Sequence, residues 1–159
     1  MTGVTKILDR SEARELRKLQ PGKTIVFTNG CFDIIHTGHV RYLAAARRLG
    51  DLLVVGLNGD ESVRELKGEG RPLNSQEDRA EVVAALEAVD YVIIFTEKRV
   101  DNLLREVRPH VYAKGGDYTV SSLDPGEVAA LEEIGATIRI LPLVPGKSTT
   151  QLLKAIQRK

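Results

Sequence analysis

Five short apolar runs, at residues 24–28, 52–57, 91–95, 110–113 and 137–141, constrain this chain more than any other feature of its sequence. Each run is close to continuously apolar, which is the signature of strands covered by helices on both sides; a strand with one wet face would alternate. Helical patterns fill the intervals. The spacing predicts a helix over 40–49 that stops at Gly50, a left-handed cap position. A short amphipathic helix is expected over 60–66. A longer one should start at an Asn74 or Ser75 cap and run through Val89, with Ala80, Val83, Ala84 and Leu86 as its apolar side. Residues 100–107, 126–134 and 148–156 give three more. Strands alternating with helices predict an α/β fold, a doubly wound (Rossmann-like) five-stranded parallel sheet with helices on both faces. Residues 1–22 are expected to be an N-terminal helical extension, with Asp9 and Glu12 in a capping box and Pro21-Gly22 ending the helix. Residues 23–159 then form the domain proper.

Composition closes off several function classes. Lys and Arg number 23 against 22 Asp and Glu, a formal charge of +1, so no field draws the chain to nucleic acid or to an anionic membrane. A single cysteine excludes an internal disulfide framework and a cysteine-based zinc cluster. No apolar run approaches the roughly 18 residues of a membrane span, and the N-terminus lacks a signal-peptide core. A soluble cytoplasmic protein is the expectation.

A doubly wound sheet binds its ligands beyond the carboxyl ends of its strands, so the segments following each strand carry the functional reading. After the first run comes Asn29-Gly30-Cys31-Phe32-Asp33, then Ile34-Ile35-His36-Thr37-Gly38-His39. Gly30 permits a sharp turn, and the helix that follows offers unpaired amides and a positive dipole end suited to phosphate. His36 and His39 share one face of its first turn, and Gly38 lets a ligand approach the backbone. Two imidazoles beside a phosphate can donate to charge building on phosphoryl oxygens. The same pair can instead be surface residues, or zinc ligands with Cys31, Asp33 or His110 as further donors. Cys31 reads as a small packed residue, because no partner orients it as a nucleophile.

The second strand leads through Asn58-Gly59-Asp60 to Lys67-Gly68-Glu69-Gly70-Arg71-Pro72, either a solvated turn or a cationic lid. The fourth ends in Ala113-Lys114-Gly115-Gly116-Asp117-Tyr118, where Asp117 can accept from sugar hydroxyls or help position a metal. The fifth leads to Pro145-Gly146-Lys147-Ser148-Thr149-Thr150. A P-loop reading of Gly146-Lys147-Ser148 fails, because the required first glycine falls at Leu141. Ser148 also reads as a plain helix cap.

Gly-Cys-Phe-Asp with His-Thr-Gly-His resembles the first signature of the HxGH nucleotidyltransferase superfamily, in its cytidylyltransferase-like branch. Gly-x-Ser-Thr-Thr matches the second signature, and the matches run in order from about Lys23 to Ile156. Within the superfamily, the phrases at 28–33, 66–72, 85–90 and 114–118 resemble the adenylyltransferase half of bifunctional bacterial ADP-heptose synthases and its stand-alone counterparts. Glycerol-3-phosphate cytidylyltransferases are less similar, usually carrying two acids and a tryptophan where this chain has Gly116, Asp117 and Tyr118. The resemblance implies transfer of AMP from ATP to D-glycero-D-manno-heptose 1-phosphate. Other acceptors (glycerol 3-phosphate, a flavin phosphate) and a non-catalytic nucleotide-binding module stay open. It further implies catalytic roles for His36, His39 and Lys67. Nucleotide contacts would come from Asn29, Gly30, Cys31, Phe32, Arg79, Ser148, Thr149 and Thr150, and acceptor contacts from Asp33, Lys114, Gly115 and Asp117. Mg2+ would ride mainly on the nucleotide phosphates, since no residue pattern builds a protein cage. Similar proteins imply a homodimer.

Overall fold

The computed structural model describes residues 3–116, 118–142 and 145–158. Its strands are β1 (Ile7–Leu8), β2 (Ile25–Gly30), β3 (Leu52–Asn58), β4 (Tyr91–Phe95), β5 (Val111–Gly115) and β6 (Thr137–Leu141). Between them lie helices α1 (Arg10–Leu19), α2 (Thr37–Arg47), α3 (Asp60–Lys67), α4 (Gln76–Ala84), α5 (Asp101–Val107), α6 (Pro125–Ile134) and α7 (Thr149–Gln157). The strands form one parallel sheet in the order β1-β4-β3-β2-β5-β6. The sheet has six strands where the apolar runs predict five. The extra one is only two residues long, pairing Ile7 with Val92 and Leu8 with Ile93, too short to register as a periodic pattern.

Alternation along the buried strands feeds two cores, one on each face. Ile25 and Phe27 of β2, Val54 of β3 and Tyr112 of β5 pack with Ala13 and Leu16 of α1, Leu103 and Leu104 of α5, and Leu131 of α6. Val26, Leu53, Val55 and Ala113 point the other way, against Leu43 and Ala46 of α2 and Val83 and Ala84 of α4. Burying a side chain such as Leu16, 1% exposed, contributes about 1.5–3 kcal/mol. Residues before Lys23 therefore supply an edge strand and a packed helix. That helix carries the capping box seen in the sequence: Asp9 accepts from the Glu12 amide at 2.7 Å, and Glu12 from the Asp9 amide at 2.8 Å. Helix α4 begins at its Ser75 cap but ends at Ala84, short of the expected Val89. The remaining residues turn to bring Asp90 alongside β3, where its carboxylate accepts from the Leu53 amide at 2.7 Å.

Arg79 departs most from its sequence reading. Expected on a nucleotide phosphate, it is instead 1% exposed and absent from the cleft lining described below. Nε donates to the Asn74 carbonyl at 3.0 Å, Nη1 to the carbonyls of Cys31 and Asn58 at 2.7 Å each, and Nη2 to the Asp60 carboxylate at 2.8 Å. The reason is the supply of acceptors: chain leaving β2 and β3 turns carbonyls inward, where they would otherwise go unpaired. One planar guanidinium meets all of them, which no ammonium can do. Replacing Arg79 with Met, close in length but without donors, should lower the unfolding free energy by about 3–5 kcal/mol. Urea denaturation measures this, and Arg79→Lys should recover only part of the loss. A Met variant as stable as the parent would mean that those carbonyls are satisfied some other way.

Candidate active site

The N-terminus of α2 sets the chemistry. His36 is its cap residue, and its Nδ1 accepts from the Gly38 amide at 3.1 Å. Three residues on, His39 Nδ1 accepts from the His36 amide at 3.2 Å. A ring nitrogen that accepts carries no proton, so each neutral imidazole holds its proton on Nε2 and keeps that N–H free to donate. The ring centroids are 3.9 Å apart. Burial, with His36 as a lesser cause, pushes His39 down to about 4. Burial and then the nearby Lys147 ammonium lower His36 as well. The result is a pair of neutral donors at a helix end.

Gly38 has a different use from the one its sequence position implies. A Cβ there would lie 2.7 Å from His36 Cε1 and 3.0 Å from Lys147 Cβ. The missing side chain lets the His36 ring fold back on the helix beneath Lys147, and the space is not left for a ligand.

Beyond the carboxyl ends of the strands lies a cleft of about 710 Å³, within the range of small-molecule sites. Asn29, Gly30, Cys31 and Phe32 line it from the end of β2 and the loop that follows. His39, Lys67 and Lys114 reach it from three further elements, and Thr149 and Thr150 from the start of α7. Phe32 takes a left-handed backbone conformation, φ 48°, uncommon for a bulky residue. Its ring sits 5.4 Å from that of His39, and a Cβ on Gly30 would come within 2.9 Å of it. Burial pushes the Cys31 thiol up, with Lys67, Arg79 and Arg71 opposing, so the thiol stays protonated at neutral pH and is no nucleophile.

Other expected site residues stand elsewhere. Asp33 borders the cleft but is 5% exposed, and its carboxylate is committed to the protein. It accepts from Arg71 Nε and the Leu73 amide at 2.8 Å each, and from the Asn74 amide at 2.9 Å. Burial alone would raise its pKa; those amides and the guanidinium outweigh burial and hold it below the usual carboxylate range. Asp33 thus latches residues 71–74 to the first loop. His36 and Ser148 line an adjoining, smaller hollow. Ser148 caps α7, accepting from the Gln151 amide at 3.1 Å, while Thr149 Oγ1 donates to the Ile34 carbonyl at 3.4 Å. Gly115 packs on Tyr42, whose ring a Cβ would approach to 3.0 Å. Asp117 lies outside the described residues.

The zinc alternative loses its further donors. His110 sits at the opposite end of the sheet, where its Nδ1 accepts from the Ile25 amide at 3.0 Å. Among the described residues, no three His, Cys, Asp or Glu side chains are placed to share a metal ion. Lys98, Arg99, Asp124 and Glu127 also line the cleft and were missed in the sequence. Lys98 and Arg99 follow directly on the 91–95 run, so inspecting the end of that strand would have found them. Asp124 and Glu127 open α6, one loop beyond the end of β5, and only the fold brings them in.

His39 makes stability depend on pH. Its folded pKa of about 4 lies below its ordinary 6.5, so the unfolded chain binds the proton first as pH falls. The contribution is fully present above about 6.5 and is lost progressively between there and 4. Urea midpoints measured across this window should fall more steeply for the parent than for His39→Gln. Identical slopes would show that His39 is not held neutral.

Residues 27–152 match the family model described as cytidylyltransferase-like. The bifunctional protein HldE of Aliarcobacter butzleri (strain RM4018) is 52% identical over 136 residues, covering 86% of this chain and 27% of that protein. The bifunctional protein HldE of Syntrophotalea carbinolica is 46% identical over 154 residues, 96% of this chain and 31% of that one. The chain therefore spans less than a third of the length of these relatives. A lipopolysaccharide core biosynthesis protein from Thermoplasma volcanium GSS1 superposes with a TM-score of 0.64 at 29% identity, covering 77% of this chain and 98% of that one. A pantoate-beta-alanine ligase from Francisella tularensis shares the fold, with a TM-score of 0.56 at 14% identity over 95% of this chain and 76% of its own. With the matched stretch running from β2 into α7, the chain belongs to the cytidylyltransferase-like family.

Proposed function

We propose that this chain is a nucleotidyltransferase that moves AMP from ATP to D-glycero-D-manno-heptose 1-phosphate, giving ADP-heptose and pyrophosphate. The observation that carries the reaction class is the pair of neutral imidazoles whose Nδ1 atoms are held by backbone amides, leaving both Nε2–H groups as donors. The heptose acceptor rests on the motif resemblance and on the similarity to bifunctional HldE proteins.

In this reading a phosphate oxygen of the acceptor attacks the α-phosphorus of ATP. The bond from that phosphorus to the bridging oxygen breaks, and pyrophosphate leaves with the electron pair. A phosphate monoester with a second pKa of about 6 is already mostly dianionic near neutral pH, so no general base is required. What the protein must supply is positioning and relief of repulsion between anions. His39 on the cleft wall and His36 beside it donate to phosphoryl oxygens without carrying charge of their own. Lys67, at the mouth of the 68–72 loop, adds a cation over the triphosphate, and Thr150 adds a hydroxyl from the start of α7.

Magnesium, when bound, would neutralise part of the phosphate charge. The donor set fits an ion held by phosphates and water. Asp33, the carboxylate nearest the imidazoles in sequence, already takes three protein donors.

Pyrophosphate release tests the proposal, with ATP, CTP and GTP each offered alongside heptose 1-phosphate or glycerol 3-phosphate and magnesium. Turnover is expected with ATP and the heptose phosphate. Turnover with another pair would overturn the substrate assignment, and silence with every pair would overturn the enzyme reading. In the active pair, His36→Ala and His39→Ala should each lower kcat by about 10²–10³-fold while ATP affinity moves far less. Equal losses in both would remove the transition-state role.

A further inference from the structure

At the end of the cleft away from the imidazoles stands a carboxylate that the protein leaves largely unmet. Glu127, on the first turn of α6, lines the cleft and is 8% exposed. Among the described residues, the one donor within hydrogen-bond reach of its side chain is the Tyr112 hydroxyl, at 3.4 Å. That hydroxyl has a single proton and a nearer acceptor, Asn29 Oδ1 at 2.7 Å, so the proton is spent there. The Lys114 ammonium is 4.0 Å away, too far for a hydrogen bond, and lies 4.9 Å from the centre of the Tyr118 ring. Asp33, buried to a similar degree in the same cleft, has three donors at 2.8–2.9 Å. A buried carboxylate normally has such partners, and one without them has acceptor capacity to offer a ligand.

The surroundings decide what kind of ligand group fits. Asp124 and Asp101 both stand close enough to oppose ionisation of Glu127, which burial already disfavours and Lys114 only partly restores. Arg99, which also lines the cleft, is paired with Asp124. An ionised carboxylate only accepts, as does a phosphate oxygen, so the open side of Glu127 suits an uncharged donor. A hydroxyl is such a donor, and both substrates of the proposed reaction carry sugars.

We propose that Glu127 is a specificity-determining residue that accepts a hydrogen bond from a sugar hydroxyl of the bound substrate. The inference rests on the transferase reading above. Two sugars offer this chemistry, the ribose of the nucleotide and the acceptor sugar, and the experiment separates them.

Glu127→Ala and Glu127→Gln are compared with the parent for KM and kcat, and for binding of ATP and of heptose 1-phosphate by calorimetry. Loss of a hydrogen bond to a charged group is worth about 10–100-fold, so Glu127→Ala should raise one KM by that factor while kcat changes less. The Gln variant keeps one carbonyl acceptor and should fall between the two. If the hydroxyl is on the ribose, ATP binding weakens, and 2′-deoxyATP or 3′-deoxyATP weakens the parent as much without weakening Glu127→Ala further. If it is on the acceptor, ATP binding is untouched and heptose phosphate binding weakens. Unchanged KM and binding for both substrates in Glu127→Ala would overturn the proposal, as would a loss confined to thermal stability. Should the parent bind both ligands yet release no pyrophosphate, the transferase reading fails. The calorimetric difference at Glu127 then still decides the inference by itself.

Discussion

The guanidinium of Arg79 is the interaction on which the geometry of the cleft depends. Strands β2 and β3 end side by side, and beyond each the chain must leave the sheet with carbonyls pointing inward. Arg79 takes Cys31 and Asn58, the two carbonyls just past or at those ends, on one nitrogen at 2.7 Å each. Its other nitrogens hold Asn74 and Asp60. The first loop, the start of α3 and the start of α4 are thereby fixed to one planar group. Burying a cation is costly unless its donors find partners, and four of the five guanidinium N–H groups bond to three carbonyls and a carboxylate. The same planarity that suits a guanidinium to phosphate suits it to this cluster of oxygens, which is why the sequence alone points to the wrong partner.

Asp33 plays the complementary part from the other side of the loop. Its carboxylate gathers two amides and one guanidinium from residues 71–74, so the segment between α3 and α4 is tied at its far end. Lys67 sits at the near end, followed by Gly68 and Gly70, both at positive φ with open space around them. The cation is therefore carried on the last residue of α3, and the segment that follows is anchored to Asp33 through Arg71, Leu73 and Asn74.

How much of this was legible in the letters depends on the range over which each signal acts. The buried strands were readable because continuous apolar runs have one structural use in a covered sheet, and all five became strands. The Asp9 and Glu12 box and the Ser75 and Ser148 caps were readable because a cap acts within three residues. Strand β1 was not, because two residues cannot display a period. The site divides along the same line. His36 and His39 bond to their own helix start, so their spacing told their geometry. Arg79 and Asp33 bond across 48 and 41 positions of sequence respectively, and nothing local distinguishes a polar residue facing a ligand from one facing distant backbone. Glu127 was invisible for the same reason: its neighbours Tyr112, Lys114 and Asp124 come from the end of β5 and the turn into α6, and only folding makes them a wall of the cleft.

The two ends of that cleft then follow different electrostatic rules, and the sheet explains why they can coexist. Helix α2 covers one face and presents its N-terminus, neutral imidazoles and free N–H donors, all favourable to negative charge. Helix α6 covers the other face and also presents an N-terminus, yet its first turn is occupied. Asp124 accepts from the Gly126 and Glu127 amides at 3.0 and 3.2 Å, so the donors that would welcome an anion are already used. A cap carboxylate in one place and imidazoles in the other make two helix starts of the same geometry into opposite sites. With the sheet edge between them, a substrate that is anionic at one end and hydroxylated at the other has only one favourable direction in which to lie. On the proposed reading, orientation would thus be set before any reacting atoms meet, by which polar groups each helix start has left unpaired.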